Sequence, residues 1–175
     1  MLINFLSDVK DNRRKQGRRY ELNHILIFSV FAVLSGACSY RKIHSYIDTN
    51  YEVLKDNFAL SWKTIPAYTT VRNIIKGVSV ESLEKSFRKY SSVLTENTEG
   101  VSFVAFDGKV LCGSFDHFKD QKAVQCLSAF MTDSRIIIAH REIGAKTNEI
   151  PAAQELIMKL GLENKVFTFD AMFPM

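Results

Sequence analysis

The fold is decided by two short apolar stretches that both end in aspartate: VSFVAFDG at residues 101–108 and KVFTFD at residues 165–170. Each stretch is typical of a buried β-strand, because it is short, apolar and rich in aromatic and β-branched side chains. Between them lie two further strand-like runs, AVQCLSAFM at 123–131 and RIIIAHREI at 135–143. Turn residues separate these two runs and predict a hairpin. The second half of the chain is therefore predicted to form a β-sheet.

A helix is predicted between the hairpin and the last strand, in the segment KTNEIPAAQELIMKLGL. We expect it to start at Asn148, to tolerate Pro151 in its first turn and to end at Gly161. A helical crossover normally joins parallel strands, so the last strand is predicted to lie parallel to the first. Asp107 and Asp170 would then meet at the carboxyl edge of the sheet, on strands about 4.8 Å apart.

Two carboxylates at this separation repel each other unless a cation lies between them. Oxygen ligands of this kind suit Mg²⁺ or Mn²⁺, which activate water and stabilise the displacement at a phosphoryl group. Asp107 and Asp170 are therefore a candidate catalytic and metal-binding pair. The alternative stays open that each aspartate only ends its strand, because Asp-Gly is also a typical turn sequence.

Residues 1–95 are predicted to form a basic helical domain, residues 101–175 a second domain, and the polar segment TENTEG at 95–100 the boundary between them. The helices expected from apolar spacing and capping residues are 22–34, 40–51, 69–76 and 80–94.

Several details of these helices are also predicted. Thr69 or Thr70 is expected to cap the third helix and Ser79 the fourth. Gly77 is expected to take a left-handed backbone conformation. The residues expected to be buried at helical spacing are Leu22, Ile25, Leu26, Val30, Val33 and Leu34 in the first helix and Leu83, Phe87, Tyr90 and Leu94 in the fourth, with Phe28, Phe31 and Tyr46 also in the core.

The charge is divided unevenly along the chain. Residues 1–95 hold 15 Lys and Arg against 8 Asp and Glu, whereas residues 96–175 hold 8 against 11, for an overall net charge of +4. This imbalance indicates that the first part meets a polyanion and that the second part holds carboxylates.

Five cations lie within seven residues: Arg13, Arg14, Lys15, Arg18 and Arg19. We interpret them as an arm that contacts nucleic-acid phosphates, and a solvated loop is the alternative.

The 3 cysteines and 4 histidines are scattered, which argues against a disulfide framework and against a structural zinc site. The longest apolar run, residues 25–38, is shorter than the ~20 residues of a membrane span, and the N-terminus lacks the features of a signal peptide. We therefore expect a cytoplasmic protein that does not enter a membrane.

The sequence resembles the H-repeat-associated group of insertion-sequence transposases, a DDE family with an RNase H-like catalytic fold. The resemblance runs along nearly the whole chain. Its segments are FLSDVKDNRRKQGRRYEL, ILIFSVFAVLSGACSYRKI, PAYTTVRNII, FDGKVLCGS, LSAF, IGAKTNEIPAAQELI and VFTFDAM. It implies a helical N-terminal domain followed by an RNase H-like mixed sheet, and double-stranded DNA at transposon ends as the partner.

The resemblance also implies roles for single residues. Asp107 and Asp170 match the first two metal-binding aspartates of the family, and Lys109 would lie near bound DNA. Lys146 belongs to a block at the start of the helix that matches the family's Lys-Ser-Asn-Glu. Within that block, capping by Asn148 and a favourable dipole interaction of Glu149 are the alternative to contact with DNA or metal.

Three departures from the family pattern bear on activity. Cys112 stands where the family usually has an arginine, and FPM at 173–175 replaces a stretch that contains His and Gln. The third acidic residue of the family has no counterpart within residues 1–175. We therefore expect a truncated, incomplete catalytic domain with weak or absent Mg²⁺ binding, little complete transposition, and self-association through an exposed strand edge.

Two hypotheses about function follow from the resemblance, and a third hypothesis does not depend on it. The first is a transposase that cuts DNA and joins 3′-hydroxyls to target phosphodiesters, in a truncated and inactive copy. The second is a non-catalytic DNA-binding remnant that represses transposition. The third is a small metal-dependent phosphohydrolase that uses the Asp-Gly-Lys at the end of the first strand.

Overall fold

The computed structural model describes residues 2–95, 101–111, 124–143 and 149–169. The chain divides into two compact units, Met1–Ser86 and Phe87–Met175. Helices form the first unit, and a four-stranded mixed sheet is the main feature of the second. The predicted class, helices followed by a mixed α/β part, agrees with this architecture. The predicted boundary segment, apart from Thr95, lies outside the described residues.

The described helices are α1 (Leu2–Ser7), α2 (Leu22–Leu34), α3 (Tyr40–Thr49), α4 (Tyr51–Phe58), α5 (Tyr68–Lys76), α6 (Val80–Thr95) and α7 (Glu149–Leu160), with a 3₁₀ turn at Lys15–Gly17. The four helices predicted in the first half correspond to α2, α3, α5 and α6. The prediction for the second of them is wrong at its end, because Asn50 interrupts the helix and Tyr51 starts α4. Among the helices of the described ranges, none has the length and apolar character needed to cross a membrane.

A cluster of aromatic rings forms the centre of the first unit. Phe28 is fully buried, and its ring centroid lies 5.1 Å from that of Phe58 and 5.8 Å from that of Trp62. Tyr20 meets Trp62 edge to face at 5.1 Å. Edge-to-face rings at 4.5–7 Å attract each other beyond the effect of their buried area. The cluster therefore holds α2 against α4 and against the segment that follows α4.

Polar contacts fix Trp62 at the edge of this cluster. Its indole Nε1 donates to the carboxylate of Glu21, and Tyr51 Oη donates to its carbonyl at 2.7 Å. Ser61 Oγ donates to the other Glu21 oxygen at 3.2 Å. Burial alone would raise the pKa of Glu21, but hydrogen bonds from Trp62, from the backbone, from His24 and from Ser61 lower it. An ionised carboxylate therefore holds the start of α2 to the segment after α4.

The predicted buried face of α2 is only partly correct. Its first turns are buried as predicted, but Val30, Val33 and Leu34 are exposed, Leu34 to 79%. Phe28 and Ala32 are fully buried. Because almost every residue of α2 is apolar, its sequence has no polar face to show which side meets solvent.

The predicted buried stripe of α6 is wrong at both ends. Leu83 and Leu94 are exposed, whereas Ser86 and Ser91 are only 4% and 2% exposed. Ser86 Oγ donates to a carbonyl of α1, and Ser91 Oγ donates to the carbonyl of Ile138 at 3.1 Å. Small hydroxyl side chains allow a close approach of backbones here and satisfy the buried carbonyls at the same time.

Among the residues predicted to start or end α5 and α6, one is confirmed and the others are wrong. Ser79 caps α6, since its Oγ accepts a hydrogen bond from the amide of Ser82 at 3.2 Å. The helix α5 starts earlier than predicted, at Tyr68, after Ala67, so no threonine caps it. Gly77 is not left-handed, because its amide still donates to carbonyls of the last turn of α5 and its φ is −87°.

The strands of the second unit form one mixed sheet. They are β1 (Ser102–Val110), β2 (Gln125–Met131), β3 (Ile136–Ile143) and β4 (Lys165–Phe169), and their order in the sheet is β3-β2-β1-β4. β2 pairs antiparallel with both β1 and β3, and β4 pairs parallel with β1. The predicted hairpin and the predicted parallel pairing of the first and last strands are both confirmed.

Helix α7 covers one face of this sheet and contacts β2 and β3. Ala152, Ala153 and Leu156 are its buried residues in the core of the second unit, and small alanines allow the helix to lie close to the strands. Gly161 follows the helix with φ 56°, so the predicted termination by a left-handed glycine is confirmed.

An ion pair joins the outer side of α7 to the sheet. Glu155 lies 2.5 Å from the guanidinium of Arg141 on β3 and 2.7 Å from the ammonium of Lys159. Hydrogen bonds from Lys159 and from Arg141 lower the pKa of Glu155. The pair is at the surface, where such contacts stabilise a fold only slightly.

The prediction that the first strand stops at Asp107-Gly108 is wrong. β1 continues to Val110, and its last residues pair with β2, where Lys109 is opposite Cys126. Asp-Gly is a local turn preference, and here the pairing of residues 107–110 with β2 overrides it.

Phe106 is the main packing residue of β1. It is 2% exposed, its ring stacks on that of Phe169 at 5.1 Å, and it lies 6.0 Å from the ring of Phe167. Phe103 points to the opposite face of the same strand and is 46% exposed.

We predict that Phe106→Ala destabilises the second unit by about 3–5 kcal/mol, because it leaves a cavity between β1, β4 and α7. Phe103→Ala is the matched control and should cost less than about 1 kcal/mol, because its side chain is half exposed. Amide hydrogen exchange of β1 and β2 measures the free energy of opening. Equal effects of the two substitutions would contradict the assignment of the two faces.

Candidate functional site

The parallel pairing of β1 with β4 bears on the position of the candidate pair Asp107 and Asp170. The register aligns Ser102 with Lys165 and, among the described residues, ends with Phe106 opposite Phe169. In the sequence, Asp107 directly follows Phe106, and Asp170 directly follows Phe169. Asp170 lies outside the described residues, so its predicted place beside Asp107 remains a prediction.

Asp107 lies on the face of the sheet opposite the α7 core. Side chains alternate along a strand, and Phe106 belongs to the core that α7 covers, so the exposed Asp107 points the other way. Across the sheet, Ser128 of β2 is opposite Asp107, and His140 of β3 is opposite Ser128. A carboxylate, a hydroxyl and an imidazole therefore share one face of three neighbouring strands.

Lys109 lies on the same face, two residues further along β1, and its side chain is exposed. Cys126 is opposite Lys109, and Glu142 of β3 is opposite Cys126. This position leaves Lys109 accessible, and its contact with DNA remains a prediction. The other candidate of the second unit, Lys146, lies outside the described residues.

Sequence reasoning missed His140 and Glu142 as residues of this face. Both are exposed on β3, and the ring of Phe87 lies 5.8 Å from that of His140. The available signal was the alternation within RIIIAHREI, where these residues take every second position. The alternation does not show which face holds Asp107, because that depends on the strand register.

The described ranges contain no group of three His, Cys, Asp or Glu side chains arranged to hold a metal ion. The predicted metal pair includes Asp170, which is not among those residues. Metal binding by Asp107 and Asp170 therefore stays a prediction.

The basic segment of the first unit, residues 11–21, is a folded loop around the carboxylate of Asp11. We call it the basic loop. Arg13 donates to both oxygens of Asp11, from Nε at 2.9 Å and from Nη2 at 2.8 Å. It also donates to the carbonyls of Gly17 at 3.0 Å and Tyr20 at 2.8 Å. Because its side chain is only 20% exposed, Arg13 serves mainly to close the loop.

The other four cations of the segment remain accessible. Arg18 donates to the carbonyls of Arg13 at 2.9 Å and Asp11 at 2.7 Å, yet its side chain is 48% exposed. The side chains of Arg14 and Lys15 are exposed and make no hydrogen bond or ion pair with any residue that the structure describes. Arg19 is exposed as well. Contact of these residues with DNA remains a prediction, and it requires no unfolding of the loop.

The Asp11–Arg13 pair gives the loop a specific response to pH. Hydrogen bonding by Arg13 lowers the pKa of Asp11 from its ordinary value of 3.8. A carboxyl with a lowered pKa contributes stability above its ordinary pKa, and that contribution is lost as the pH falls through the lower, folded value.

We predict that Arg13→Ala raises the pKa of Asp11 towards 3.8, because the substitution removes the guanidinium that favours the ionised carboxylate. Arg14→Ala removes the same charge one residue away and should leave the pKa of Asp11 nearly unchanged. NMR titration of the Asp11 carboxyl carbon distinguishes the two variants. A similar shift in both would mean that overall charge, and not the bidentate contact, lowers the pKa.

Comparison with known proteins places the chain among transposase-related sequences. A profile of the DDE_Tnp_1-associated family matches residues 3–91. The protein named "Putative transposase YncI" in Escherichia coli K12 is 30% identical over 171 residues, which are 98% of this chain and 68% of that protein. The "H repeat-associated putative transposase YhhI" of the same strain is 28% identical over 98% of this chain and 45% of its own length.

The chain spans only part of the length of these relatives, including 43% of the YncI protein of Escherichia coli O157:H7, to which it is 30% identical. No solved structure shows a significant match to the chain. The family profile covers the basic first unit, and the relatives extend the similarity through β4. The chain is similar along nearly its whole length to the H repeat-associated proteins of Escherichia coli, and it belongs to the DDE_Tnp_1-associated family.

Proposed function

We propose that this chain takes part in DNA transposition, with an RNase H-like sheet that supports metal-dependent cleavage and joining of phosphodiester bonds. The observation that carries the proposal is the parallel register of β1 and β4, which ends at Phe106 opposite Phe169, each followed by an aspartate. The proposed partner is duplex DNA at transposon ends, and the proposed compartment is the cytoplasm.

In this proposal Asp107 and Asp170 hold Mg²⁺ or Mn²⁺. The exposed carboxylate of Asp107 suits such a cation, which prefers carboxylate oxygens and keeps several of its waters. When bound, the cation lowers the pKa of an attacking water or hydroxyl and stabilises the leaving oxygen. Lys109 and Lys146 are proposed to bind DNA phosphates as point charges. The resemblance to DDE transposases implies a third acidic residue in this ligand set.

We predict that Mn²⁺ broadens the NMR signals of residues 105–108 and of β4, and that Asp107→Asn weakens this effect at least tenfold, because it removes one of two proposed ligands. Asp133→Asn is the matched control, since Asp133 is an exposed aspartate in the turn between β2 and β3. If both variants bind Mn²⁺ as the unsubstituted chain does, Asp107 is not a metal ligand.

A second candidate function is repression of transposition by DNA binding without catalysis. The family profile, which covers residues 3–91, favours it, because that match coincides with the basic helical unit and not with the sheet. A protein that occupied transposon ends through this unit alone would compete with an active transposase.

Cleavage and binding assays on the same duplex separate the two functions. We predict that the unsubstituted chain binds duplex DNA and that Asp107→Asn leaves this binding unchanged, because the basic loop lies in the other unit. Mg²⁺-dependent nicking that is lost in Asp107→Asn would support catalysis. Binding without nicking, in both proteins, would support repression.

We also propose that copies of the chain can associate along β4. This strand is at an edge of the described sheet, and its Val166 is half exposed. An edge strand offers unpaired backbone groups to another chain.

A further inference from the structure

Two segments far apart in the sequence are joined at the basic loop. Arg19 Nη2 donates to Thr64 Oγ1 at 2.9 Å, across 45 residues of sequence. The buried Tyr20 places its hydroxyl 3.4 Å from Thr64 Oγ1 and 3.5 Å from the Ile65 carbonyl. The Arg19 guanidinium also lies 5.4 Å from the centroid of the Tyr20 ring. The residues after α4 therefore form one continuous surface with the basic loop.

This junction adds Lys63 to the cations of the loop. Lys63 directly precedes Thr64, and its side chain is exposed. Residues 11–21 and 61–65 together hold six Lys and Arg and only two carboxylates. Both carboxylates are occupied: Asp11 by Arg13 and Arg18, and Glu21 by hydrogen bonds that include the indole of Trp62. The two segments therefore hold four more cations than carboxylates. The Asp11 carboxylate is paired with two arginines, and the Glu21 side chain keeps its charge and is 41% exposed.

We infer that Lys63 and the basic loop form one composite surface that binds the phosphate backbone of duplex DNA. This inference rests on the proposed function and adds a second segment to its DNA interface. The loop is held in shape before DNA arrives, because Asp11 fixes Arg13 and Arg18, and Thr64 fixes Arg19. A surface that is already ordered loses less entropy on binding than a flexible arm does.

The test is the salt dependence of duplex binding by the full chain, measured by fluorescence anisotropy. Each phosphate contact adds about 0.9 to the slope of log K against log salt. Lys63→Ala should reduce this slope by about 0.9, which corresponds to about eightfold weaker binding at 0.1 M salt. Lys63→Arg should retain the slope, because it keeps the charge.

The control is Lys42→Ala. Lys42 is an exposed lysine in the first turn of α3, and it lines a groove with Ser35 and Gly36 at the far end of α2. The 13 residues of α2 separate that end from the basic loop by about 20 Å. Lys42→Ala lowers the net charge as much as Lys63→Ala does, but it should change the slope by much less.

The outcomes distinguish DNA binding by the first unit from the contribution of Lys63 to that binding. If the unsubstituted chain shows no salt-dependent binding, the proposed function of this unit fails, and the composite surface fails with it. If the chain binds but Lys63→Ala and Lys42→Ala change the slope equally, only the composite surface is overturned. Circular dichroism of each variant shows whether the helices have remained folded.

Discussion

The parallel pairing of β1 with β4 is the constraint on which the candidate catalytic face depends. At one end of the pairing, Lys165 Nζ donates to the buried hydroxyl of Ser102 at 2.9 Å. At the other end, the rings of Phe106 and Phe169 stack at 5.1 Å. A slip of one residue would turn every side chain of a strand to the opposite face. These two contacts therefore hold Asp107 on the face of the sheet opposite α7.

The sequence was sufficient to predict this pairing for a physical reason. A helical crossover between two strands lets the second run parallel to the first. Asn148 and Gly161 are local signals of the start and the end of such a helix. The extension of β1 to Val110 could not be predicted in the same way. It depends on hydrogen bonds with β2, and residue types at 107–110 contain no information about that neighbour. The same limitation applies to α6, where the buried positions are serines that meet distant carbonyls.

The basic loop shows a different limit of sequence reasoning. Arg13 and Arg14 are adjacent and chemically identical, yet one closes the loop on Asp11 and the other is exposed to solvent. The difference arises because the guanidinium of Arg13 also reaches the carbonyl of Tyr20, seven residues away. A charge run in a sequence therefore predicts a basic surface, but it does not separate the cations that build the surface from those that are free to bind a ligand.

The opposite charges of the two parts of the chain are consistent with two different tasks. A surface that binds DNA phosphates needs an excess of cations, and in residues 11–21 both carboxylates are already occupied by local donors. A site that binds a divalent cation needs the reverse, and Asp107 is exposed on a part of the chain with an excess of carboxylates. Unpaired carboxylates placed beside the basic loop would weaken its attraction for DNA phosphates. In the proposed function, the uneven charge of residues 1–95 and 96–175 would give each surface the potential that suits its ligand.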